Sequence, residues 1–283
     1  MERNARTLID LALAEDIGSG DVTSRYFVPE NRVARAFIVA RTEGVISGAE
    51  VAQAVFRAVD ASLDIAILIP DGSRVSAGAM VLRVEGPARS ILTAERTALN
   101  FLQRLSGVAT LTRRYVDAIA GTGAAILDTR KTTPGYRMLE KAAVVHGGGT
   151  NHRLGLFDRA MVKDNHLVAE NSLSVLQAGI TKLKADRPGV EVELEADRLE
   201  QVEAFLGLDG VDYLLLDNMS LEDLRAAVAM RNGRTIPRLE ASGGVNLETV
   251  RGIAETGVDF ISVGALTHSA PSLDLGLDFV PVS

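Results

Sequence analysis

Basic side chains are concentrated in one stretch of a chain that is acidic as a whole. Residues 130–166 contain seven lysines or arginines against three acids, whereas the full chain carries a formal net charge of −7. Arginine offers a planar fork of donors to a carboxylate or phosphate, and lysine offers a compact positive charge. The stretch therefore predicts a binding site for a small anion. The competing interpretation is a solvated helical face, which we favour for Arg137, Lys141 and Arg159.

The best candidates for contact with an anion fall into two groups. Members of the first group end or directly follow apolar runs typical of strands, so they are predicted to lie where strands end: Arg130, Lys131 and Lys163. His152 and Arg153 form the second group and follow a glycine run at 147–149, which allows close backbone access. A purely structural role is the alternative for His152. His166 is predicted to orient other groups rather than to react.

Two acidic residues could complete such a site. Glu193 lies in the run 190–195, where alternation places three glutamates on one face of a strand. On an exposed strand that face is solvated, whereas inside a barrel it is an acidic row that needs cations or a metal. Asp217 follows the apolar run 213–216 and is predicted at the carboxyl end of a strand, with helix capping as its alternative role. Both carboxylates are candidate ligands, directly or through water, for Mg²⁺ on a polyphosphate.

Two glycine turns late in the chain are candidates for phosphate binding. Ser242, Gly243 and Gly244 follow one strand-like run, and Gly264 and Ala265 follow the next. Strand-to-helix glycine turns near the end of a barrel commonly cradle phosphate with backbone N–H groups. Each turn alone is weak evidence, but their place in the last two units favours a phosphate site.

The elements that must position these residues change character along the chain. A short helix over 1–16 precedes a β-rich region at 32–90, and a long helix is predicted over 93–120, with Gly107 as a possible break. After residue 123 short apolar runs alternate with helix-like stretches, which favours a parallel sheet. The six runs are 125–128, 160–163, 190–195, 211–217, 238–242 and 259–264. A barrel suits six such units better than an open sheet, although periodicity leaves the open sheet as an alternative.

Composition excludes several classes of function. The chain of 283 residues contains no cysteine, so disulfides, zinc–thiolate sites and thiol nucleophiles are excluded, and a cytoplasmic setting is favoured. No apolar run approaches the roughly 20 residues of a membrane-spanning helix, and no signal peptide is recognisable. The net negative charge argues against nucleic-acid binding. We therefore expect a soluble protein with a small-molecule ligand.

The ordered motifs of the chain resemble those of quinolinate phosphoribosyltransferases over nearly its whole length. The matching segments are 14–23, 95–100, 105–107, 128–135, 151–153, 163–166, 191–193, 216–219 and 242–244. The resemblance implies an α/β fold with an incomplete, TIM-like α/β barrel beside an N-terminal open α/β sandwich domain. Residues 1–108 and 268–283 would form the sandwich domain, and residues 109–267 the barrel. It also implies a homodimer or a hexamer built from dimers.

The resemblance also implies roles for the candidate residues. Arg130, His152 and Arg153 would hold the quinolinate carboxylates beside Thr129, while Lys131 and Lys163 would serve both anionic substrates. Glu193 and Asp217 would lie near the ribose and Mg²⁺ of phosphoribosyl pyrophosphate, and the two glycine turns would bind phosphate. Arg96 would reach the site of the neighbouring subunit. The implied reaction joins the pyridine nitrogen to the ribose and then releases carbon dioxide.

Three other functions compete with this interpretation. A relative linked to molybdenum transport shares the block at 129–135 but departs from the family pattern at the two later basic motifs, which this chain keeps. An aldolase would use Lys131 or Lys163 as a Schiff-base nucleophile. A non-catalytic ligand binder would be expected to have lost the acids, yet Glu193 and Asp217 are present.

Overall fold

The computed structural model describes residues 3–163 and 173–280, and these residues form two compact units. The first unit comprises Met1–Arg113, Thr132–Gly148 and Leu266–Ser283. The second comprises Arg114–Lys131 and Gly149–Ala265. The candidate residues Asp164 and His166 lie outside the described residues.

The first unit is built on a four-stranded antiparallel sheet in the order β12-β1-β5-β3. Its strands are β1 (Val33–Ala40), β3 (Asp64–Ile67), β5 (Met80–Pro87) and β12 (Leu275–Val280), and β2 (Gly44–Val45) pairs separately with β4 (Arg74–Val75). Its helices are α1 (Arg3–Ile17), α2 (Val22–Phe27), α3 (Ala49–Val59) and α5 (Arg137–His146). Pairing of β12 with β1 returns the end of the chain to this unit.

Helix α3 shows why these segments pack on the sheet. Its buried residues Ala49, Val51, Ala52, Val55 and Phe56 form one apolar stripe at helical spacing. The carboxylate of Asp71 accepts the N–H of Ala49 at 2.9 Å, which satisfies one donor in the first turn of this helix. The apolar stripe and this hydrogen bond together account for the position of α3.

One long helix, α4 (Ala88–Ala118), runs without interruption through Gly107. The prediction of a break at this glycine was therefore wrong. A Cβ at position 107 would lie 2.0 Å from the carbonyl oxygen of Pro271, so the glycine allows a close backbone approach. In the helix interior the absent side chain serves packing rather than flexibility.

The second unit contains a six-stranded parallel sheet in the order β6-β11-β10-β9-β8-β7. The strands are β6 (Ala125–Leu127), β7 (Arg159–Val162), β8 (Glu191–Ala196), β9 (Tyr213–Asp217), β10 (Arg238–Ser242) and β11 (Phe260–Ser262). The intervening helices are α6 (Leu173–Asp186), α7 (Leu199–Leu206), α8 (Leu221–Met230) and α9 (Val250–Ala254). Helix α10 (Ala265–His268) follows β11, and all of it after Ala265 belongs to the first unit. Within the described ranges β6 and β7 are the end strands and do not pair with each other, so the sheet does not close into a complete barrel, as predicted. Among these residues, no helix combines the length and the apolar character needed to cross a membrane.

Candidate functional site

The parallel sheet of the second unit brings most of the predicted residues to the carboxyl ends of its strands, where α/β proteins bind their ligands. Thr129, Arg130 and Lys131 follow β6, and Lys163 follows β7. Asp217 is the last residue of β9, directly beside Ser242 at the end of β10. Gly264 and Ala265 follow β11. The sheet therefore brings these residues together at the carboxyl ends of its strands, although they are far apart in sequence.

Strand β8 carries an acidic row that is matched by one cation on β7 and by another directly after it. Glu191, Glu193 and Glu195 alternate along β8 and share one face of it. Arg159 Nη2 lies 2.9 Å from Glu191 Oε2, and Arg159 Nη1 lies 3.6 Å from Glu193 Oε2. Lys163 forms an ion pair with Glu195. The three glutamates therefore have cationic partners inside the second unit.

Two of the residues that we assigned to solvated faces, Arg159 and Lys141, are largely covered by other residues in the structure. Arg159 begins β7, its side chain is only 11% exposed, and its guanidinium carbon lies 4.0 Å from the centre of the Tyr213 ring. Lys141 is buried in α5 of the first unit. Arg137, also in α5, donates from Nε to the Thr132 hydroxyl at 3.0 Å. The interpretation was wrong for Arg159 and Lys141, because the sequence pattern did not reveal the elements that cover them.

His152 lies in a buried cluster with two carboxylates. Its backbone N–H donates to Asp128 Oδ1 at 2.8 Å, and its Nε2 lies 3.1 Å from Glu193 Oε2 and 3.4 Å from Glu240 Oε2. On the other side of the ring, Nδ1 accepts the backbone N–H of Arg153 at 2.7 Å. Both ring nitrogens therefore contact protein groups, and the residue is only 7% exposed.

The pKa values of the cluster reflect burial and mutual charge. Burial lowers the pKa of His152, whereas the contacts with Glu193 and Glu240 and the charges of these carboxylates raise it. Burial raises the pKa of Glu240, and the charge of Glu193 adds to this increase. For Glu193 burial acts in the same direction, but His152 and Arg159 outweigh it and lower the pKa of this carboxyl.

The hydrogen bond from Arg153 limits how His152 can be protonated. A ring with protons on both nitrogens would direct an N–H from Nδ1 against the Arg153 N–H, whose nitrogen is 2.7 Å away. This arrangement opposes the second proton that the carboxylates favour. We assign one proton to the ring, on Nε2, because the peptide plane fixes the direction of the Arg153 N–H.

Arg153 and Arg130 place two positive charges close together. Burial lowers the pKa of Arg153, and the positive charge of Arg130 lowers it further. The Arg153 guanidinium donates from Nη1 to the carbonyl oxygen of Arg159 at 3.2 Å, while Asp158 accepts the backbone N–H groups of Leu154 and Gly155. Because like charges repel, a bound anion would stabilise this pair of arginines.

The loop after β6 supplies further candidate donors. Thr129 and Arg130 are half-buried and Lys131 is exposed. The Thr129 hydroxyl accepts the backbone N–H of Lys131 at 3.1 Å, a local turn that fixes the backbone between them. Arg96 belongs to the first unit, where it is exposed on α4.

Asp217 borders the turn formed by Ser242, Gly243 and Gly244. Asn218 donates from Nδ2 to Asp217 Oδ2 at 2.8 Å and from its backbone to the Ser242 carbonyl at 2.9 Å. Gly243 has a φ of +93°, and a Cβ there would lie 2.1 Å from Asn218 Oδ1. Backbone conformation and close packing therefore both require glycine at this position.

Glu193 and Asp217 do not lie at the same level of the sheet. Glu193 pairs with Tyr213, four residues before Asp217 on β9. Four strand residues span about 13 Å, which is too far for one ion to bind both carboxylates directly. Glu193 is also buried against His152, whereas Asp217 is half-buried at the strand end. The geometry therefore argues against direct binding of one ion by both carboxylates, and contact through water stays a prediction.

Glu240 and Ser262 belong to this cluster, yet the sequence analysis missed both. Glu240 is fully buried in β10 and accepts a hydrogen bond from the Ser262 hydroxyl of β11. Glu240 is two residues before Ser242, so strand alternation would have placed both side chains on one face. That alternation was the available signal, because a single acid in a short strand is otherwise typical of a solvated position.

Comparison with known proteins shows similarity over nearly the whole chain. The family models described as quinolinate phosphoribosyl transferase, N-terminal domain, and C-terminal domain match residues 21–106 and 108–278. The chain is 45% identical over 278 residues to the nicotinate-nucleotide pyrophosphorylase [carboxylating] of Mycobacterium leprae, covering 97% of this chain and 96% of the relative. It is 42% identical to the chloroplastic enzyme of that name from Arabidopsis thaliana, covering 96% and 82% of the two chains. The solved nicotinate-nucleotide pyrophosphorylase of Francisella tularensis superimposes with a TM-score of 0.90 at 39% identity, covering 98% and 96%.

Proposed function

The chain belongs to the quinolinate phosphoribosyl transferase family, and on this premise we propose that it carries out phosphoribosyl transfer to quinolinate with decarboxylation. The second substrate is phosphoribosyl pyrophosphate, and the products are nicotinate mononucleotide, pyrophosphate and carbon dioxide. One observation of the site carries the proposal beyond the similarity. Arg130 and Lys131 follow β6 and Lys163 follows β7, so these cations lie at the carboxyl ends of strands of one parallel sheet, as expected of a pocket that receives a polyanionic ligand.

Arg130 and Arg153 would hold the two carboxylates of quinolinate. A guanidinium binds a carboxylate through parallel N–H donors, which fixes the ligand plane as well as its charge. Thr129 directly precedes Arg130 in the loop after β6. Lys131 and Lys163 follow β6 and β7 and add positive charge that would attract either anionic substrate. Direct contact of His152 with a carboxylate requires the ring to exchange one of its protein partners, since both nitrogens already contact protein groups.

Phosphate groups would bind at the late glycine turns. Ser242, Gly243 and Gly244 follow β10, and Gly264 and Ala265 follow β11. Asp217 lies at the end of β9 beside Ser242, where its carboxylate can meet the ribose and the Mg²⁺ carried by phosphoribosyl pyrophosphate. The metal supplies neutralising charge for the departing pyrophosphate when it is bound.

The reaction would proceed in two electron-balanced stages. In the first stage the C1′–oxygen bond breaks, pyrophosphate keeps the electron pair, and the pyridine nitrogen lone pair forms the new bond to C1′. Positive charge develops at the ribose, where fixed carboxylates such as Glu193 and Asp217 stabilise it. In the second stage the bond between the ring and the carboxylate next to the nitrogen breaks and carbon dioxide leaves. The electron pair of that bond stays on the ring carbon as a carbanion, which the adjacent positively charged nitrogen stabilises and a proton from solvent then neutralises.

Assembly as a homodimer or a hexamer of dimers is part of the same proposal. Arg96 is exposed on α4 of the first unit and would act in the site of a neighbouring subunit. Tyr26 and Phe27 of this unit are 76% and 83% exposed, and large exposed apolar side chains are typical of an interface. Light scattering with size-exclusion chromatography measures the assembly. The absence of cysteine supports action in the cytoplasm.

The substrate assay tests the proposed reaction. Purified protein is incubated with phosphoribosyl pyrophosphate, Mg²⁺ and either quinolinate or nicotinate, and nicotinate mononucleotide is measured. We expect product from quinolinate and much less from nicotinate, because loss of one carboxylate leaves buried cations unpaired. Equal rates with both acids would contradict the assignment of quinolinate as the substrate.

A further inference from the structure

Glu240 is a buried acid to which the proposed function assigns no contact with a substrate. Its side chain is 0% exposed, and Oε1 accepts the hydrogen bond from Ser262. Oε2 has no hydrogen-bond partner among the described residues, yet it lies 3.4 Å from His152 Nε2. Burial of a carboxyl group costs free energy, so its neighbours must compensate for that cost.

Glu240 and Glu193 hold the same edge of one imidazole ring. Nε2 of His152 lies 3.1 Å from Glu193 Oε2 and 3.4 Å from Glu240 Oε2, so the carboxyl groups flank this nitrogen. On the opposite edge, Nδ1 accepts the Arg153 N–H. A ring rotation that releases Nε2 from the carboxyl groups also breaks the bond to Arg153. The ring therefore couples the two buried acids to the backbone at residue 153.

The cluster also contains its own guanidinium. Arg159 Nη1 lies 3.4 Å from His152 Nε2 and 3.6 Å from Glu193 Oε2. This positive charge offsets the carboxylates locally, so the distinctive contribution of Glu240 is the position of its carboxyl group beside Nε2 of the ring. The neighbouring residues Leu239 and Ala241 are buried and apolar, so an acid between them is an exception in β10.

We propose that Glu240 is a positioning residue for quinolinate binding, acting through His152 on Arg153. Glu240 fixes the ring from the Nε2 side, the ring fixes the Arg153 N–H through Nδ1, and the guanidinium of Arg153 is thereby held for carboxylate binding. The inference rests on the proposed function. It extends that function by assigning a role to a residue with no predicted substrate contact, and such supporting residues commonly control the placement of groups that bind ligands.

Kinetics of matched variants separate this role from a general effect on the fold. Glu240→Ala removes the carboxyl group, Glu240→Gln keeps its shape and one oxygen acceptor, and Glu255→Ala is the control. Glu255 is an exposed acid that pairs with Arg251 on the helical surface. We expect Glu240→Ala to raise the KM for quinolinate about 10-fold. Its KM for phosphoribosyl pyrophosphate should change less than about 2-fold, and Glu240→Gln should recover most of the loss, as expected when a supporting contact orients one ligand-binding group.

Two kinetic results would overturn the proposal. An unchanged KM for quinolinate in Glu240→Ala would show that Glu240 does not position the pocket. An equal rise in both KM values would show a general structural effect. If Glu240→Ala fails to fold, the same comparison is made with Ser262→Ala, which removes the hydroxyl that donates to Glu240.

Nitrogen NMR of histidine gives a readout that needs no activity. In protein labelled with ¹⁵N-histidine, the His152 signals are assigned by their loss in His152→Asn. We expect Nδ1 without a proton and Nε2 with one near neutral pH, and we expect both signals to shift in Glu240→Ala. Unshifted signals, or two protonated nitrogens in the unaltered protein, would overturn the positioning model. Failure of the unaltered protein to form product would instead remove the proposed function, while the spectra still test the coupling.

Discussion

Arg104 Nη2 donates to Glu140 Oε1 at 2.8 Å, and both side chains belong to the first unit. Glu140 is 0% exposed and also accepts the backbone N–H and the hydroxyl of Thr133, each at 3.0 Å. Arg104 further donates to the carbonyl oxygens of Thr267 and Ala270. This ion pair therefore joins α4 to α5, and its two side chains also bind Thr133 and the segment before β12.

Removal of Glu140 should strongly destabilise the protein. Glu140→Ala leaves Arg104 and the Thr133 donors without their acceptor, and breaking a buried pair in this way costs about 3–5 kcal/mol. Urea unfolding monitored by circular dichroism measures the loss. The control Glu255→Ala breaks the exposed pair with Arg251 and should cost no more than about 0.5 kcal/mol. Similar losses in the two variants would contradict a special role for the buried pair.

Arg130 should discriminate between the two substrates. Arg130→Ala removes a guanidinium beside Arg153, and loss of a charge-assisted contact of about 3 kcal/mol corresponds to roughly 100-fold weaker binding. We expect that change in the KM for quinolinate and a much smaller change for phosphoribosyl pyrophosphate. Steady-state kinetics with each substrate varied in turn measures both, with Arg225→Ala on α8 as the control. Equal losses for the two substrates would exclude the assigned role.

Gly243 should be essential to the shape of the turn after β10. Gly243→Ala forces a Cβ to within 2.1 Å of Asn218 Oδ1 at a φ of +93°. We expect the variant to lose about 1–3 kcal/mol in stability. We also expect its KM for phosphoribosyl pyrophosphate to be higher than that of the unaltered protein. Gly189→Ala is the matched control, because a Cβ there has no atom within 4 Å and φ is not positive. Normal phosphoribosyl pyrophosphate kinetics in Gly243→Ala would argue against phosphate binding at this turn.

Asp21 should contribute pH-dependent stability through helix capping. The Ser24 hydroxyl and backbone N–H lower the pKa of Asp21, whose side chain accepts the Ser24 N–H at 2.9 Å at the start of α2. Because the pKa is lowered in the folded state, this stabilisation is present above the unfolded pKa of about 3.9 and is lost as pH falls through the folded pKa.

Asp21→Ala should therefore cost about 1 kcal/mol near neutral pH, and the difference from the unaltered protein should shrink in acid. Denaturant unfolding at neutral pH and near pH 3 measures this trend. Asp21→Asn serves as the control because asparagine keeps the capping oxygen but cannot titrate. A difference that stays constant with pH would show that the carboxylate charge does not contribute.

The strands were predictable because their signal is local. Each run of β-branched or leucine residues in the second half ends in glycine or a polar group, and all six became strands of one parallel sheet. Such local patterns carry no information about which strands pair with each other or which distant residues come into contact. Arg159 resembled a solvated helical residue, although it begins β7 and packs on Tyr213 from another strand. The carboxylates and the ring that its guanidinium contacts belong to Glu191, Glu193 and Tyr213, all more than 30 positions away in sequence.

The candidate site shows the same division. The sequence indicated a basic pocket with Glu193 and Asp217, but strand register separates these acids by four residues along β9. Register depends on the pairing of whole strands, so the separation could not be inferred from either motif alone. Glu240 was missed because its burial depends on His152 and Ser262, which come from different segments.

Carbon dioxide release from labelled quinolinate tests the central claim most directly. Quinolinate carrying ¹³C in the carboxyl group next to the ring nitrogen is incubated with protein, phosphoribosyl pyrophosphate and Mg²⁺, and labelled carbon dioxide and nicotinate mononucleotide are measured together. The proposed reaction predicts one labelled carbon dioxide for each nucleotide, with none released when phosphoribosyl pyrophosphate is omitted. Labelled carbon dioxide without nucleotide, or nucleotide that retains the label, would contradict transfer followed by decarboxylation.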